Sequence, residues 1–405
     1  MQQRVEVGDV FREHGPSYLA SHQARVSHEQ RYVLRQLTQC RTASLGGHVL
    51  ECSGCGKRQI AYNSCRNRHC PKCQGSARHT WLQAREAELL PVPYFHVVFT
   101  MPHPIARLAL QNRRVIYGIL FQAASQTLLQ IAADPKHLGA RIGFLAVLHT
   151  WGQNLLHHPH VHCVVPAGGL SPNGSQWVPG NPKYLLPVNV LSQVFRCKFM
   201  ELLRKAFSQS RLQFHGQFKG LSHRDAFMKW LPSVSFTKDW VVFAKRPFGG
   251  PGQTLKYLSR YTHRVAISNG RLLEMQDESI RIRWKDYSDG SQWKTMPLHV
   301  HEFIRRFLLH VLPKRFMRIR HYGFLANRNR SSNIERCRRL LSPQTADTQA
   351  PGESESSTES LAESHTPCPD CGKAMLIIHE FPAPLKRPHF TVVRSKLPVP
   401  YQDTS

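Results

Sequence analysis

Acidic residues are scarce in this 405-residue chain: 26 Asp and Glu stand against 54 Lys and Arg, giving a formal net charge of +28. Such a balance points to a polyanion as partner, nucleic acid first and an anionic membrane surface second. The sequence also lacks an apolar run approaching the ~18 to 20 residues of a membrane span, which argues against an integral membrane protein. Met1–Val10 has no basic-then-apolar leader pattern, so a cytoplasmic, nucleoid-associated protein is expected. No internal repeat is evident. With 41% hydrophobic and 9% aromatic residues the chain is too apolar to be disordered over most of its length. The cysteines do not look like a disulfide framework. They number 11, and five of them crowd into 52–73, a pattern of metal ligands in a reducing compartment.

Strands and helices alternate irregularly, predicting an α+β fold. Residues 1–45 read as a basic helical segment with Tyr18, Leu19, Val33, Leu34 and Leu37 toward a core, and 46–90 as a zinc-binding domain. Residues 91–340 form the main domain. Within it Tyr94–Met101 is a buried strand, Ile105–Ala133 a helix, Arg141–Gln153 and Val161–Val165 two strands around a turn at His157 and His158, and Val188–Ser210 a helix. Val234–Lys245 reads as strand, Thr254–Arg264 as a short helix, and Arg271–Met275 with Ser279–Asp286 as a hairpin. Residues 341–367 carry five acids and no Lys or Arg, the mark of a disordered linker, before a tail over 368–405.

Two thiolate pairs, Cys52-x-x-Cys55 and Cys70-x-x-Cys73, are separated by 14 residues. Each CxxC puts two sulfurs on one knuckle, and two knuckles complete a closed tetrahedron around structural Zn2+. Cys65, His48 and His69 are the alternative ligands. Arg66, Arg68 and Lys72 lie between the thiols and are expected to face phosphate. Cys368-x-x-Cys371 in the tail is half of a similar site, with His365 or His379 available to complete it.

The run His157-His158-Pro159-His160-Val161-His162-Cys163 supplies a second donor set. In a strand His160 and His162 share one face while Val161, Cys163 and Val165 enter the core. Two imidazoles on one face make a bidentate metal platform. Of His149, Trp151 and Gln153 at matching parity on the preceding strand, Gln153 is the first choice of third ligand and His149 the alternative. Tyr257 and Tyr261 are spaced i, i+4 on the short helix, a spacing that more often serves packing than chemistry, though Lys256, Arg260 and Arg264 beside them are unusual for a core face. Combined, a metal acting on a phosphate oxygen and a tyrosine nucleophile specify phosphodiester transfer that conserves the ester energy.

The strings YNSCRNRHCPKCQ, HTWGQ with HPHVHCVV, and YLSRYTHRVAISNGRL occur in that order within residues 45–290. Together they resemble the two-tyrosine rolling-circle transposases of bacterial insertion sequences, members of the HUH (His, hydrophobic, His) endonuclease superfamily. The resemblance implies an antiparallel sheet with the histidines on a central strand and flanking helices, preceded by a small zinc domain over Cys52–Cys73. It implies His160 and His162 as ligands of catalytic Mg2+ or Mn2+, and Tyr257 and Tyr261 as nucleophiles. The expected partners are single-stranded DNA at element ends and target DNA, cut to leave a 5′-phosphotyrosine and a free 3′-hydroxyl. A plasmid rolling-circle replication initiator or relaxase, and a non-catalytic zinc-containing DNA-binding protein, are the alternative readings.

Overall fold

The structure, a computed structural model, describes residues 5–181, 183–236, 240–245, 266–287, 289–342 and 367–384, the side chains of 76 and 77 excepted. The tyrosine segment with Lys256, Arg260 and Arg264 lies outside these residues, as does nearly all of the acidic linker.

The chain opens with α1 (Val7–His22) and α2 (His28–Gln39). Ser27 starts α2 with a reciprocal capping box: its hydroxyl accepts from Gln30 N–H while the Gln30 side chain accepts from Ser27 N–H. A short hairpin follows, β1 (Gly47–Cys52) and β2 (Arg58–Tyr62), then α3 (Cys73–Glu86) and β3 (Tyr94–Thr100). The single helix expected over Ile105–Ala133 is two, α4 (His103–Ala109) and α5 (Arg113–Ala133), because the backbone leaves helical hydrogen bonding around Asn112. Next come β4 (Gly143–Trp151), β5 (His157–Pro166), β6 (Gly168–Leu170), β7 (Trp177–Pro179), α6 (Val188–Ser208) and α7 (Arg224–Ser235). The strand expected from Val234 begins only at β8 (Val242–Lys245), since Phe227, Leu231 and Val234 recur at helical spacing and are buried as the core stripe of α7. The remaining elements are β9 (Leu272–Gln276), β10 (Ser279–Asp286), β11 (Gln292–His299), α8 (Val300–Leu309), β12 (Ile319–Gly323), α9 (Arg330–Leu341) and β13 (Met375–Phe381).

A five-stranded antiparallel sheet in the order β12-β4-β5-β3-β8 organises the molecule. Phe95, Val97 and Phe99 of β3, Ala146 and Leu148 of β4, and Val161, Cys163 and Val165 of β5 share one buried cluster with Tyr117, Leu120 and Phe121 of α5 and Phe195 and Phe199 of α6. This is the α+β arrangement expected. By length and mean hydropathy (1.3) α5 does reach the threshold of a membrane span, contrary to the sequence reading. Its apolar side chains are spent inside the core, which marks it as the central helix of a packed domain.

The opposite sheet face is divided. At one end Tyr94, Leu145, Val147 and Val164 pack with Phe324 and with Ile334 and Cys337 of α9. At the other end it carries histidines. The N-terminal helices belong to a third cluster, in which Phe11 meets Phe307 edge-on at 5.1 Å and Leu34, Ile280, Ile282 and Phe303 are buried together. Gln30 Nε2 donates to the Leu308 carbonyl at 2.8 Å, tying α2 to α8. The segment over 1–45 therefore shares its core with residues of 266–311.

Candidate metal centres

β5 is the middle strand of the sheet, so its alternate residues are held in register from both sides. His160 pairs across from His149 on β4 and from Thr100 on β3, and His162 from Val147 and Val98. With Val161 and Cys163 drawn into the core, His160 and His162 share the other face with His149. One donor nitrogen from each of His149, His160 and His162 lies within 4.8 Å of the others. Gln153, the first choice on parity, lies beyond the strand that carries His149. Strand geometry ends at Trp151, the chain turns through 152–156, and the Gln153 amide donates to the Tyr287 hydroxyl at 3.3 Å. Parity extrapolates only as far as the strand does.

The turn itself is clamped. Its carbonyls at Gln153, Asn154 and Leu155 are bonded by Arg271, Arg306 and His310 respectively, and Leu155, at φ 63, is fully buried. A loop so pinned holds the two histidine strands as a rigid pair.

Each ring is also oriented. His160 Nδ1 lies 2.6 Å from the His158 carbonyl, an acceptor that requires the proton on Nδ1 and leaves Nε2 for a ligand. His162 Nδ1 lies 2.7 Å from Nε2 of His96, a buried residue of β3 whose ring stacks on His162 at 4.9 Å and 5°. His149 stacks on Trp151 at 4.6 Å. Burial holds His160 at a pKa of about 3 and His96 at about 4, and it pushes His162 well below the usual imidazole range. His160 and His162 are thus held in the neutral form at pH 7, the form in which imidazole binds a divalent cation. His96 was not singled out from the sequence; its signal was a histidine inside the otherwise apolar strand YFHVVF.

The cysteines regroup. Cys52, Cys55, Cys70 and Cys73 do not converge on one point. Cys70 and Cys73 join Cys65 and Cys40, whereas Cys52 and Cys55 join Cys368 and Cys371. In the first quartet Cys40–Cys73, Cys65–Cys73 and Cys70–Cys40 are each 3.6 Å apart. A tetrahedron with Zn–S of about 2.3 Å has S···S edges of about 3.8 Å, so these sulfurs stand where a zinc ion needs them. The Cys40 thiol is pushed strongly down by hydrogen bonds from Cys65 and Cys70, and Cys65 is pushed up in return. Cys65, an alternative on sequence grounds, is a full member, and Cys40 is the residue the sequence reading missed. It follows the end of α2, held there by the packing of the N-terminal helices. His48 and His69 stand outside both quartets, and His379 lies in β13 opposite Val49.

Arg68, expected to face phosphate, is engaged with the chain itself. Its guanidinium donates to the carbonyls of Phe316 at 2.6 Å and Pro313 at 2.9 Å, and burial lowers its pKa. Arg66 is exposed, at φ 50, beside Arg41 and His48 on a shared groove.

Residues 10–101 match the family described as "Transposase zinc-binding domain", and residues 143–333 that described as "Putative transposase". The chain is 54% identical over 379 residues to "Putative transposase y4qJ" of Sinorhizobium fredii, covering 93% of this chain and 95% of that protein. It is 29% identical over 294 residues to the transposase for insertion sequence element IS801 of Pseudomonas savastanoi pv. phaseolicola, covering 71% and 68%. Among solved structures, the conjugative relaxase TrwC in complex with oriT DNA, in metal-bound form, aligns at 16% identity and a TM-score of 0.23, over 40% of this chain and 63% of that one.

Proposed function

The chain belongs to the transposase family that carries an N-terminal zinc-binding domain, and on that premise we propose that it nicks and rejoins single-stranded DNA at insertion-sequence ends through 5′-phosphotyrosine intermediates. The observation that carries this reading is the convergence of three imidazoles on the two central strands, His149, His160 and His162. The donor set fits a divalent cation. Bound there, Mg2+ or Mn2+ supplies a Lewis acid for a non-bridging phosphate oxygen.

Tyr257 and Tyr261 are the nucleophiles of this proposal. The described residues that flank them are Lys245, which pairs with His96, and Ala266, which shares a cluster with Leu155 and Trp151. Lys245 is thereby joined to the residue that meets His162, and Ala266 to the turn between the two histidine strands. In each step the phenolic oxygen forms a bond to phosphorus and loses its proton, while the P–O3′ bond breaks and releases a 3′-hydroxyl. The ester energy is kept in the phosphotyrosine, so a 3′-hydroxyl of target DNA reverses the step without a nucleotide cofactor. Two tyrosines allow a second cleavage before the first link is resolved. Lys256, Arg260, Arg264 and exposed Arg66 neutralise the backbone of the strand, and binding weakens steeply with salt. Cys40, Cys65, Cys70 and Cys73 hold structural zinc and no substrate, since four thiolates close the coordination sphere.

The test is a denaturation-resistant adduct between the protein and a single-stranded element-end oligonucleotide in Mn2+. Tyr257→Phe and Tyr261→Phe are expected to leave partial cleavage singly and none together. Full cleavage by the double variant would overturn the assignment, as would cleavage without any adduct.

A further inference from the structure

The second quartet joins residues that the chain separates by more than three hundred positions. Cys52 Sγ lies 3.3 Å from Cys371 Sγ, and Cys55 Sγ lies 3.7 Å from Cys368 Sγ. All four sulfurs fall within 4.8 Å of one another. We propose that they bind a second zinc ion, which clasps the C-terminal tail onto the N-terminal zinc module.

The two halves are the same structural unit. Their sequences are Cys52-Ser-Gly-Cys-Gly-Lys57 and Cys368-Pro-Asp-Cys-Gly-Lys373. In the first, Cys52 N–H donates to the Lys57 carbonyl at 2.9 Å and Gly56 N–H to the Cys52 carbonyl at 3.1 Å. In the second, Cys368 N–H donates to the Lys373 carbonyl at 2.7 Å and Gly372 N–H to the Cys368 carbonyl at 2.9 Å. Gly56 and Gly372 stand at φ 72 and 73, the left-handed conformation that makes glycine the residue of choice after the second cysteine. The backbone amides of Gly54 and Cys55 point at Cys52 Sγ, at 3.3 and 3.5 Å, an arrangement that favours thiolate. Two knuckles facing one another give the closed tetrathiolate of a structural zinc, with no position left for substrate.

Among the described residues, the other contacts of the tail are less specific. β13 adds to β1 as a third strand, running from Gly47 opposite Phe381 to Cys52 opposite Met375. The buried residues beneath it are few: Cys52, Cys368 and Met375. Lys57 pairs with Asp370 at 2.8 Å, but both are substantially exposed, and such a pair adds little. A core this small is typical of modules that fold on metal. The clasp also requires the last described part of the chain to return to its first domain, so the second zinc site exists only once the tail has been made.

The proposal is independent of the phosphotyrosine reading, and its test uses the full-length protein without DNA. Zinc content by mass spectrometry is expected to be about two equivalents per chain, falling to about one in Cys368→Ser/Cys371→Ser. Thiol alkylation mapped by mass spectrometry then tests the pairing. In Cys52→Ser/Cys55→Ser, Cys368 and Cys371 should become alkylated while Cys65 and Cys70 stay protected. That last protection also reports that the variant is folded. One equivalent in the wild type, or continued protection of Cys368 and Cys371 after loss of Cys52 and Cys55, would overturn the clasp.

Discussion

His149, His160 and His162 come from one hairpin of two neighbouring strands, whereas the sulfurs at Cys55 and Cys368 meet across 313 positions of sequence. Both are sets of donors brought within reach of one ion, but what brings them together differs. In the hairpin, register and the two-residue alternation of a strand place the rings, and the clamped turn holds the register. In the tail quartet each knuckle is complete by itself and carries no mark of its partner. The first quartet lies between these cases: Cys65, Cys70 and Cys73 are local, and Cys40 arrives with α2. Donors on a regular element are placed by that element, while interchangeable half-sites are placed by everything else in the fold.

The comparison breaks most visibly at the sheet. His160→Ala is expected to reduce the Mn2+-dependent covalent adduct to background in a gel assay while retention on a DNA column persists. An undiminished adduct would remove the histidine centre from the reaction. Next in size is the contrast between the quartets. Cys40 and Cys70 are buried in the cluster that also holds α1, α2 and α8, so Cys40→Ser should lower Tm by about 10 °C or more. Cys368→Ser, in a cluster of only three buried residues, should change Tm by no more than about 3 °C. Equal shifts in calorimetry would erase the distinction between a zinc that supports the core and one that clasps a tail. A smaller effect is expected at His96, which touches His162 and not the ion. His96→Gln should weaken Mn2+ binding about 10- to 100-fold, the usual cost of losing a ligand's orienting partner, as read by titration calorimetry. Unchanged affinity would reduce His96 to packing. Smallest of all, Gln153→Ala should alter that affinity less than about threefold, because its amide is engaged with Tyr287. A loss as large as that of His149→Ala would restore Gln153 as the third ligand.

Much of the sheet was legible in advance. YFHVVFT has the length of a buried strand and falls where β3 runs, and Val161–Val165 falls within β5. But β5 already begins at His157, so the turn expected at His157 and His158 lies at 152–156 instead. The errors cluster where a local pattern stops applying. Gln153 kept the parity of His149 on paper, yet the chain had already left the strand at Gly152. Val234 looked like the start of a strand, but helical spacing with Phe227 and Leu231 governs it. Arg68 sits among thiols in a basic segment, where charge alone suggested a phosphate; its guanidinium instead holds the carbonyls that follow α8.

By itself the sequence determined the partner class, the α+β fold class, the side of β5 on which His160 and His162 stand, and the presence of cysteine knuckles. These follow from charge and from periodicities that act over a few residues. Only the tertiary structure decided that Cys40 completes one quartet, that the tail completes the other, and that His96 steadies His162. Those pairings depend on which buried surfaces meet, and the energy of burial has no direction along the chain.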